Sequence, residues 1–260
     1  MKTKLELAYE KYLNEFSIPK ITPYIVCDSE QKKQDVTVYT IETERSILKP
    51  LHSITKQFNE YSQQIKELYS STLGDEKVTS LYMDGKPHTE GSFQNRVNLQ
   101  SERWENGYPF SAFEIVNKEE SEISEHNVVI GYEVIGNGCK PNAGEIAILI
   151  AEKFQGLRFG HEVVGAITGG YGQYLFNKES VVNKGLPSES VFTRVLATAN
   201  IHNVASNKIF EQRGFSNIGE TEKWGFTRNE WELKYTPNEI SSYNIENPVE
   251  ISGIVELWQE

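Results

Sequence analysis

The sequence predicts an α+β fold built on a mixed, mostly antiparallel sheet flanked by helices. Three strand-like apolar runs follow one another between residues 110 and 151 and are separated only by turn-rich segments, which predicts antiparallel neighbours. From residue 36 onward, helical and strand patterns alternate irregularly, in the order β-α-α-β-β-β-α-β-α-β-β. Because a doubly wound fold would alternate regularly, we expect about seven strands in one mixed sheet.

The N-terminal part is predicted to be mainly helical. Apolar residues recur at helical spacing in residues 3–16, and side chains alternate along Val36–Leu51 as in a half-buried strand. Two further helices are expected over 53–71 and 92–106, and the Asn106-Gly107 pair ends the second of them.

Apolar runs and turn residues predict the remaining elements. Gly214 is the expected left-handed stop of a short helix. The acidic segment 117–127 and the polar segment 177–189 are predicted as loops. We expect strands over 110–116, 128–135, 145–151, 190–198, 216–222 and 225–235, and helices over 160–176 and 203–213.

Composition narrows the classes of function. The formal net charge of −11 argues against a duplex nucleic-acid partner, because such binding needs a basic surface. An acidic surface is compatible with a cationic substrate, or with solubility alone. Cys27 and Cys139 lie in unrelated contexts and the five histidines lack metal-ligand spacing, so we expect no disulfide, no metal and a reducing, cytoplasmic location. No apolar run reaches membrane-spanning length, and no membrane partner is expected.

A glycine-bearing loop between a strand and a helix is the most informative feature of the chain. The apolar run Ile146–Ala151 enters a turn that carries Gly156 and Gly160, and an apolar helical segment follows. Unpaired amides and the positive end of a helix dipole meet at such a point, so the loop is expected to bind a phosphate. Its spacing matches neither the dinucleotide motif G-x-G-x-x-G nor the P-loop, which excludes both of these nucleotide folds.

Two segments resemble motifs of the GNAT N-acetyltransferases. Gln155–Gly160 is similar to their acyl-CoA-binding motif, Q/R-x-x-G-x-G/A, except that Arg158 replaces the first glycine. Asn203–Phe215 resembles the later family signature N-x-x-S/A-x-x-x-Y/F/L-E-x-x-G-F, and it follows a predicted strand as that signature does. Together the two segments imply the GNAT fold and acetyl-CoA as co-substrate.

The resemblance covers residues 36–236, the expected acetyltransferase domain. Residues 1–35 are then an N-terminal helical extension and residues 237–260 a C-terminal extension, which adds a strand, covers the acceptor groove or contacts a partner. Within the domain, residues 42–51 and 103–116 look most like the ribosomal-protein N-terminal acetyltransferase branch.

The resemblance also implies the residues that hold acetyl-CoA. The main chain of the strand before the loop would pair with the pantetheine arm, and the loop amides would hold the pyrophosphate. The Arg158 side chain either adds a cation near the phosphates or is a solvated surface group. Asn203 bonds the cofactor arm, caps its own helix, or does both. The implied residues are Ile148, Leu149, Ile150, Gln155, Gly156, Leu157, Arg158, Phe159, Gly160, His161 and Asn203.

Acetyl transfer to an amine needs a base for the ammonium proton and an acid for the leaving thiolate. Glu145 lies near the position of the base glutamate in some GNAT enzymes, and its alternative role is an ordinary salt bridge at a strand edge. The family often places a tyrosine acid where this chain has Phe210, which has no proton to donate. Ser206, which aligns with a serine used in the N-terminal acetyltransferase branch, is the remaining candidate; it otherwise bonds its own helix.

Two further features leave alternatives open. The predicted helix after the loop contains Gly165, Gly169, Gly170 and Gly172, so it is either short or broken, or it uses small residues for close packing. Candidates for acceptor recognition, with packing as their alternative role, are Tyr82, Asp84, Trp104 and Trp224.

The sequence therefore predicts an enzyme, an N-acetyltransferase that moves an acetyl group from acetyl-CoA to a primary amine by direct transfer in a ternary complex. The acceptor is an amine-bearing small molecule or, as an alternative, a protein N-terminus. A catalytically degenerate GNAT fold that binds CoA or serves as an interaction module is the third hypothesis. A monomer or a homodimer is expected.

Overall fold

The computed structural model describes residues 4–27, 36–51, 58–137, 140, 142–178, 191–237 and 243–252. In this part of the chain eleven strands form one sheet, whereas about seven were predicted. The strands are β1 (Lys20–Cys27), β2 (Val36–Glu42), β3 (Ser46–Pro50), β4 (Ala112–Asn117), β5 (Val128–Asn137), β6 (Ala143–Ile150), β7 (Arg194–Asn200), β8 (Ser216–Lys223), β9 (Phe226–Lys234), β10 (Asn244–Ile245) and β11 (Val249–Ser252).

Eight α-helices accompany the sheet in the described ranges. They are α1 (Lys4–Leu13), α2 (Phe58–Ser71), α3 (Glu76–Thr79), α4 (Glu90–Glu105), α5 (Lys118–Ser124), α6 (Phe159–Gly165), α7 (Gln173–Asn177) and α8 (Val204–Gln212). A 3-10 turn, Glu152–Phe154, follows β6, and a π-helical segment, Ala166–Gly172, joins α6 to α7 without a break. None of these helices is long and apolar enough to cross a membrane.

The sheet is mixed and mostly antiparallel, which confirms the predicted class. Its strands lie in the order β10-β1-β2-β3-β4-β5-β6-β7-β9-β8, and β11 also pairs with β1. The described parallel pairs are β6 with β7 and β1 with each of β10 and β11. All other pairs are antiparallel.

The segments expected as extensions take part in the same sheet. Residues 1–35 were predicted to be helical, but β1 follows α1 and pairs with β2 from Lys20↔Glu42 to Val26↔Val36. The C-terminal strand β11 then pairs with β1 from Tyr24↔Val249 to Cys27↔Ser252. Described residues of both segments therefore belong to the sheet, and the described part of the tail adds strands to it.

Two local predictions were wrong for identifiable reasons. Val36–Leu51 was predicted as one strand but forms the β2–β3 hairpin, whose turn is closed by a 2.9 Å hydrogen bond from the Thr43 amide to the Ser46 carbonyl. The acidic loop is instead helix α5. The Asn117 side chain caps that helix by accepting from the Glu120 amide at 3.0 Å, and acidic residues in a first turn favour a helix through its dipole.

Two apolar clusters cover the two faces of the sheet. Alternation along β5 directs Tyr132 and Val134 to one face, where they pack with Leu68 of α2 and Val97 of α4. Ile135 belongs to the other cluster, which includes the side chains of α6, the π-helical segment and α7. The sheet is thus covered on both faces at the point where β6 ends.

The glycines after the loop allow close packing against α1. A Cβ on Gly165 would overlap the Tyr12 ring, and a Cβ on Gly169 would overlap the Tyr9 ring. These two tyrosines stack at 5.3 Å and are buried. Of the two explanations left open by the sequence, close packing is the one observed. Helix α1 is the partner of Gly165 and Gly169. A Cβ on Gly170 would instead meet Pro19, and one on Gly172 would meet the Tyr235 hydroxyl.

Several predicted features lie outside the described residues. They are the first residues of the helix expected over 53–71, most of the polar loop 177–189, Cys139, and the end of the C-terminal tail.

Candidate active site

A cleft opens where β6 and β7 diverge. The two strands pair in parallel only from Ala143↔Arg194 to Glu145↔Leu196. Beyond this point β6 continues against β5 to Ile150, while β7 continues against β9. The divergence leaves a cleft of about 730 Å³ that runs from the glycine loop to Glu145 and on to the β8–β9 turn.

One edge of β6 faces this cleft. The Ala151 amide donates to the Ile130 carbonyl of β5 at 2.8 Å, so alternation directs the main-chain groups of Ile150 and Ile148 away from β5. The Gln155 side chain uses one of these groups, since its Nε2 donates to the Ile150 carbonyl at 2.9 Å. By the same alternation Leu149 directs its main chain to β5, while its side chain lies in the cluster under α2 and α4.

The glycine loop lines the cleft and leads directly into α6. Gly156 has a φ of 76° and Arg158 a φ of 70°, and these left-handed residues turn the chain into the helix. The first amide of this turn to reach a main-chain acceptor is that of Glu162, which donates to the Arg158 carbonyl at 3.2 Å. Among described groups, none accepts from the amides of Gly156 to His161, and an unpaired set of amides at a helix N-terminus suits an anion.

Solved structures that share this architecture include several acetyltransferases. An acetyltransferase of the GNAT family from Bacillus anthracis matches 75% of this chain and 98% of its own, at a TM-score of 0.53 and 16% identity. The ribosomal-protein-S5-alanine acetyltransferase from Vibrio fischeri matches 75% and 96%, at 0.52 and 13%. An acetyltransferase from Salmonella typhimurium that modifies the N-terminal serine of a 50S ribosomal subunit protein matches 74% and 96%, at 0.52 and 13%.

This chain has the GNAT fold. At these identities the likeness shows the fold alone. The sequence matches no protein-family model and no curated protein.

The loop of this GNAT fold departs from the family motif at Arg158, and the structure shows what the side chain does. Its Nη2 lies 2.8 Å from Oε2 of Glu15, which also accepts from Nη2 of Arg213 at 3.1 Å. Arg158 therefore lies at the surface with its side chain 52% exposed, and its ion pair with Glu15 ties the loop to the segment after α1. The two arginines lower the pKa of Glu15 although partial burial acts to raise it.

His161 lies on the first turn of α6 and lines the cleft. Burial, with the nearby cations of Arg213 and Arg158 as smaller causes, lowers the pKa of its imidazole to about 4. The ring is therefore neutral at pH 7, and its buried Nδ1 has no hydrogen-bond partner among the described groups.

The second family segment forms the opposite wall of the cleft. Asn203 caps α8, because its Oδ1 accepts from the Ser206 amide at 3.0 Å, and both residues line the cleft. Phe210 also lines the cleft, with its ring 5.2 Å from that of Phe215 and 6.3 Å from that of Trp231. The structure thus brings Asn203 and Ser206 to the same cleft as the loop.

Glu145 lies at the point where β6 and β7 separate. Its Oε1 accepts from Nζ of Lys223 at 3.0 Å, which is the salt bridge that the sequence left as an alternative. Glu145 nevertheless lines the cleft and is only partly buried, so it remains open to solvent and to a bound amine.

The acceptor candidates divide into two pairs. Tyr82 and Trp224 line the cleft, and Trp224 occupies the β8–β9 turn with a φ of 58°. Trp104 is fully buried, and its Nε1 donates to the Ala112 carbonyl at 3.0 Å, so its role is packing. Asp84 is exposed and does not line the cleft.

A group of cations that lines the cleft together with Tyr82 and Trp224 was not predicted from the sequence. Arg96 and Arg103 enter the cleft from α4, Lys223 from the end of β8, and Arg228 from β9. These residues are far apart in the sequence, and no local motif marks them. No cluster of three or more histidine, cysteine or acidic residues suited to a metal ion occurs in the described ranges.

Proposed function

We propose that the protein is an N-acetyltransferase that moves the acetyl group of acetyl-CoA directly to a primary amine. The observation that carries this proposal is the divergence of β6 and β7 into a cleft that ends at an anion-binding helix N-terminus. A long ligand with an amide-bearing arm and a pyrophosphate fits these two features in that order.

The chain offers suitable groups along the whole length of acetyl-CoA. The cleft-facing main chain of Ile148 would pair with the pantetheine amides. The amides from Gly156 to His161 would hold the pyrophosphate, with the unpartnered Nδ1 of His161 as a further polar contact. Asn203 already caps α8 through its Oδ1, so its amide nitrogen is the group left for the arm.

The catalytic assignments follow from position in the cleft. Acetyl-CoA supplies the thioester, whose C–S bond breaks as the amine nitrogen bonds to the acetyl carbon. Glu145 accepts the proton of the ammonium group, through water where the distance requires it, and Ser206 protonates the leaving thiolate. Lys223 is a positioning residue, because it holds the Glu145 carboxylate at 3.0 Å.

Ligand-dependent melting tests the binding half of the proposal. A hundredfold excess of acetyl-CoA over its dissociation constant should stabilise the fold by about 2.7 kcal/mol, and NAD should have no effect. If neither acetyl-CoA nor CoA raises the melting temperature, the enzyme hypothesis is wrong. Binding without turnover of any amine would support the degenerate alternative instead.

Release of the CoA thiol tests the chemical half. Glu145→Gln and Ser206→Ala should each lower kcat by about a hundredfold while the acetyl-CoA affinity is retained. The matched controls are Glu220→Gln and Ser70→Ala, which change exposed residues outside the cleft. Full activity of either cleft variant removes that residue from the mechanism.

A protein N-terminus is the second candidate acceptor. Two of the solved structures that share the fold are named for acetylation of ribosomal proteins, which supports this alternative. A set of peptides with free α-amines, compared with lysine side-chain amines in blocked peptides, separates an N-terminal acceptor from other amines.

A further inference from the structure

Charge distribution in the cleft differs from that of the whole chain. The protein has 26 Lys and Arg against 37 Asp and Glu. The acceptor end of the cleft, between Glu145 and the β8–β9 turn, reverses this balance. Four cationic side chains line it, and Glu145 is the one acidic residue among the described residues of the cleft lining. The cations are Arg96, Arg103, Lys223 and Arg228.

Arg228 is the best-placed of these cations. The residue is 4% exposed, and its guanidinium is held by Thr198 through Nε to Oγ1 at 3.2 Å and Nη2 to the carbonyl at 3.1 Å. The guanidinium carbon, Cζ, lies 5.1 Å from the centre of the Trp224 ring. Nη1 is buried and has no hydrogen-bond partner in the described part of the chain. A buried, unpartnered guanidinium N–H is costly unless a ligand accepts from it.

The two arginines of α4 add to this field. Arg96 lies beside the hydroxyl groups of Tyr82 and Tyr132, and burial lowers the pKa of Arg103, with Tyr132 as an opposing influence. No carboxylate of a described residue lies within 4 Å of Arg96, Arg103 or Arg228, whereas Lys223 is paired with Glu145. Three guanidinium groups therefore face the cleft without an acidic partner at contact distance.

We infer that the acceptor amine carries an anionic group, a carboxylate or a phosphate, close to the reactive nitrogen. Planar guanidinium groups bind such groups through paired hydrogen bonds. A simple polyamine would instead meet like charge on entering the cleft. The same cations favour the neutral form of the amine, which is the form that attacks the thioester.

This inference rests on the proposed function, and the test keeps the two apart. Acceptors are compared in matched pairs of C-terminally amidated tripeptides that differ only in the first residue, aspartate against asparagine and phosphoserine against serine. The anionic member of at least one pair should have a kcat/KM at least about tenfold higher, and the better pair tells carboxylate from phosphate. A lysine-first peptide should be the poorest acceptor.

Two independent measurements complement the comparison of peptides, and neither needs the substitution of a fully buried residue. Raising the salt concentration should raise KM for the anionic acceptor and leave that of its neutral partner unchanged. Arg103→Gln should raise KM for the anionic acceptor about tenfold and leave KM for acetyl-CoA unchanged, whereas Lys66→Gln, an exposed cation of α2, changes neither.

The outcomes distinguish failure of the proposed function from failure of the inference about the acceptor. If acetyl-CoA does not bind, the proposed function fails. If acetyl-CoA binds but the neutral or cationic peptides are acetylated as well as the anionic ones, the inference is overturned and the proposed function stands. If nothing is acetylated, binding of the same peptides to the CoA complex is measured, and failure of the anionic peptides to bind best also overturns the inference.

Discussion

Glu162 and Arg45 form an ion pair that joins the β2–β3 turn to the glycine loop. The carboxylate of Glu162 is fully buried and accepts from the Arg45 amide at 2.8 Å and from its Nε at 2.7 Å. Nη1 of the same arginine donates to the Leu157 carbonyl inside the loop at 3.0 Å. The shape of the anion-binding loop therefore depends on a residue more than a hundred positions away in the sequence.

Glu162→Gln should lower both stability and acetyl-CoA affinity. Loss of one partner of a largely buried pair costs about 3 kcal/mol, reduced here because Arg45 is partly exposed. Chemical unfolding and isothermal titration measure the two effects. The matched control is Glu42→Gln. Glu42 lies on β2 and forms a partly exposed ion pair with Lys118, so its substitution should change stability by less than about 1 kcal/mol. Equal effects of the two substitutions would contradict this role of Glu162.

Arg158→Gly should leave acetyl-CoA binding intact. Arg158 has a φ of 70°, a region that costs a residue with a side chain roughly 1–2 kcal/mol and that suits glycine. The substitution relieves this strain and loses a partly exposed ion pair to Glu15, so the two effects nearly cancel in the free energy of unfolding. The control is Arg158→Ala, which loses the ion pair and keeps the strain. A tenfold loss of acetyl-CoA affinity in the glycine variant would show that the guanidinium itself binds phosphate.

Gly169→Ala should destabilise the protein by about 1–3 kcal/mol, although alanine is the better helix former. A Cβ at this position overlaps the Tyr9 ring, so α1 must move. Gly91→Ala in α4 is the matched control, because no atom lies within 4 Å of its Cβ position, and it should be neutral or stabilising. Thermal melting of both variants measures the difference. A higher melting temperature for Gly169→Ala would mean that α1 does not pack as described.

The packing of α1 is a feature that the sequence alone could not predict. The apolar run, the loop and the helix after it were located from local patterns, because strand and helix periodicity and glycine spacing are local properties. The reason for glycine at Gly165 and Gly169 is the contact with Tyr12 and Tyr9, which lie in a separate segment about 150 residues earlier in the chain. Strand β1 was missed for a similar reason: its partners are β2 and the distant β11, and Pro23 interrupts its pattern.

For the site as well, residues in local motifs could be predicted and contacts between distant segments could not. Glu145, the loop, Asn203 and Ser206 line one cleft, as motifs at fixed spacing led us to expect. The cations of the acceptor end come from α4, β8 and β9, and only the fold brings them together. The side-chain role of Arg158 was open for the same reason, since its partner Glu15 lies in the N-terminal segment.

Glu133→Met should stabilise the protein, and increasingly so as pH rises. Glu133 is fully buried on β5, and neither carboxyl oxygen has a hydrogen-bond partner among described residues. Burial raises its pKa well above the usual 4.5. The native state therefore keeps a proton that the unfolded chain releases, and the stability contributed by this group falls as pH rises above about 4.5.

The measurement is the free energy of unfolding of wild type and variant between pH 4 and pH 8. We expect a gain of about 1–3 kcal/mol at pH 8 that shrinks toward pH 4. Glu133→Gln is the control, since it removes the titration and keeps a buried polar group. A difference that does not depend on pH would contradict the assignment of a buried, protonated carboxyl.

Titration of the protein with acetyl-CoA in a calorimeter tests directly whether the cleft with the glycine loop binds acetyl-CoA. We expect one site per chain, competition by CoA, and weaker binding in the Glu162→Gln variant but not in Glu42→Gln. No detectable binding of acetyl-CoA or CoA to the folded wild-type protein would contradict it.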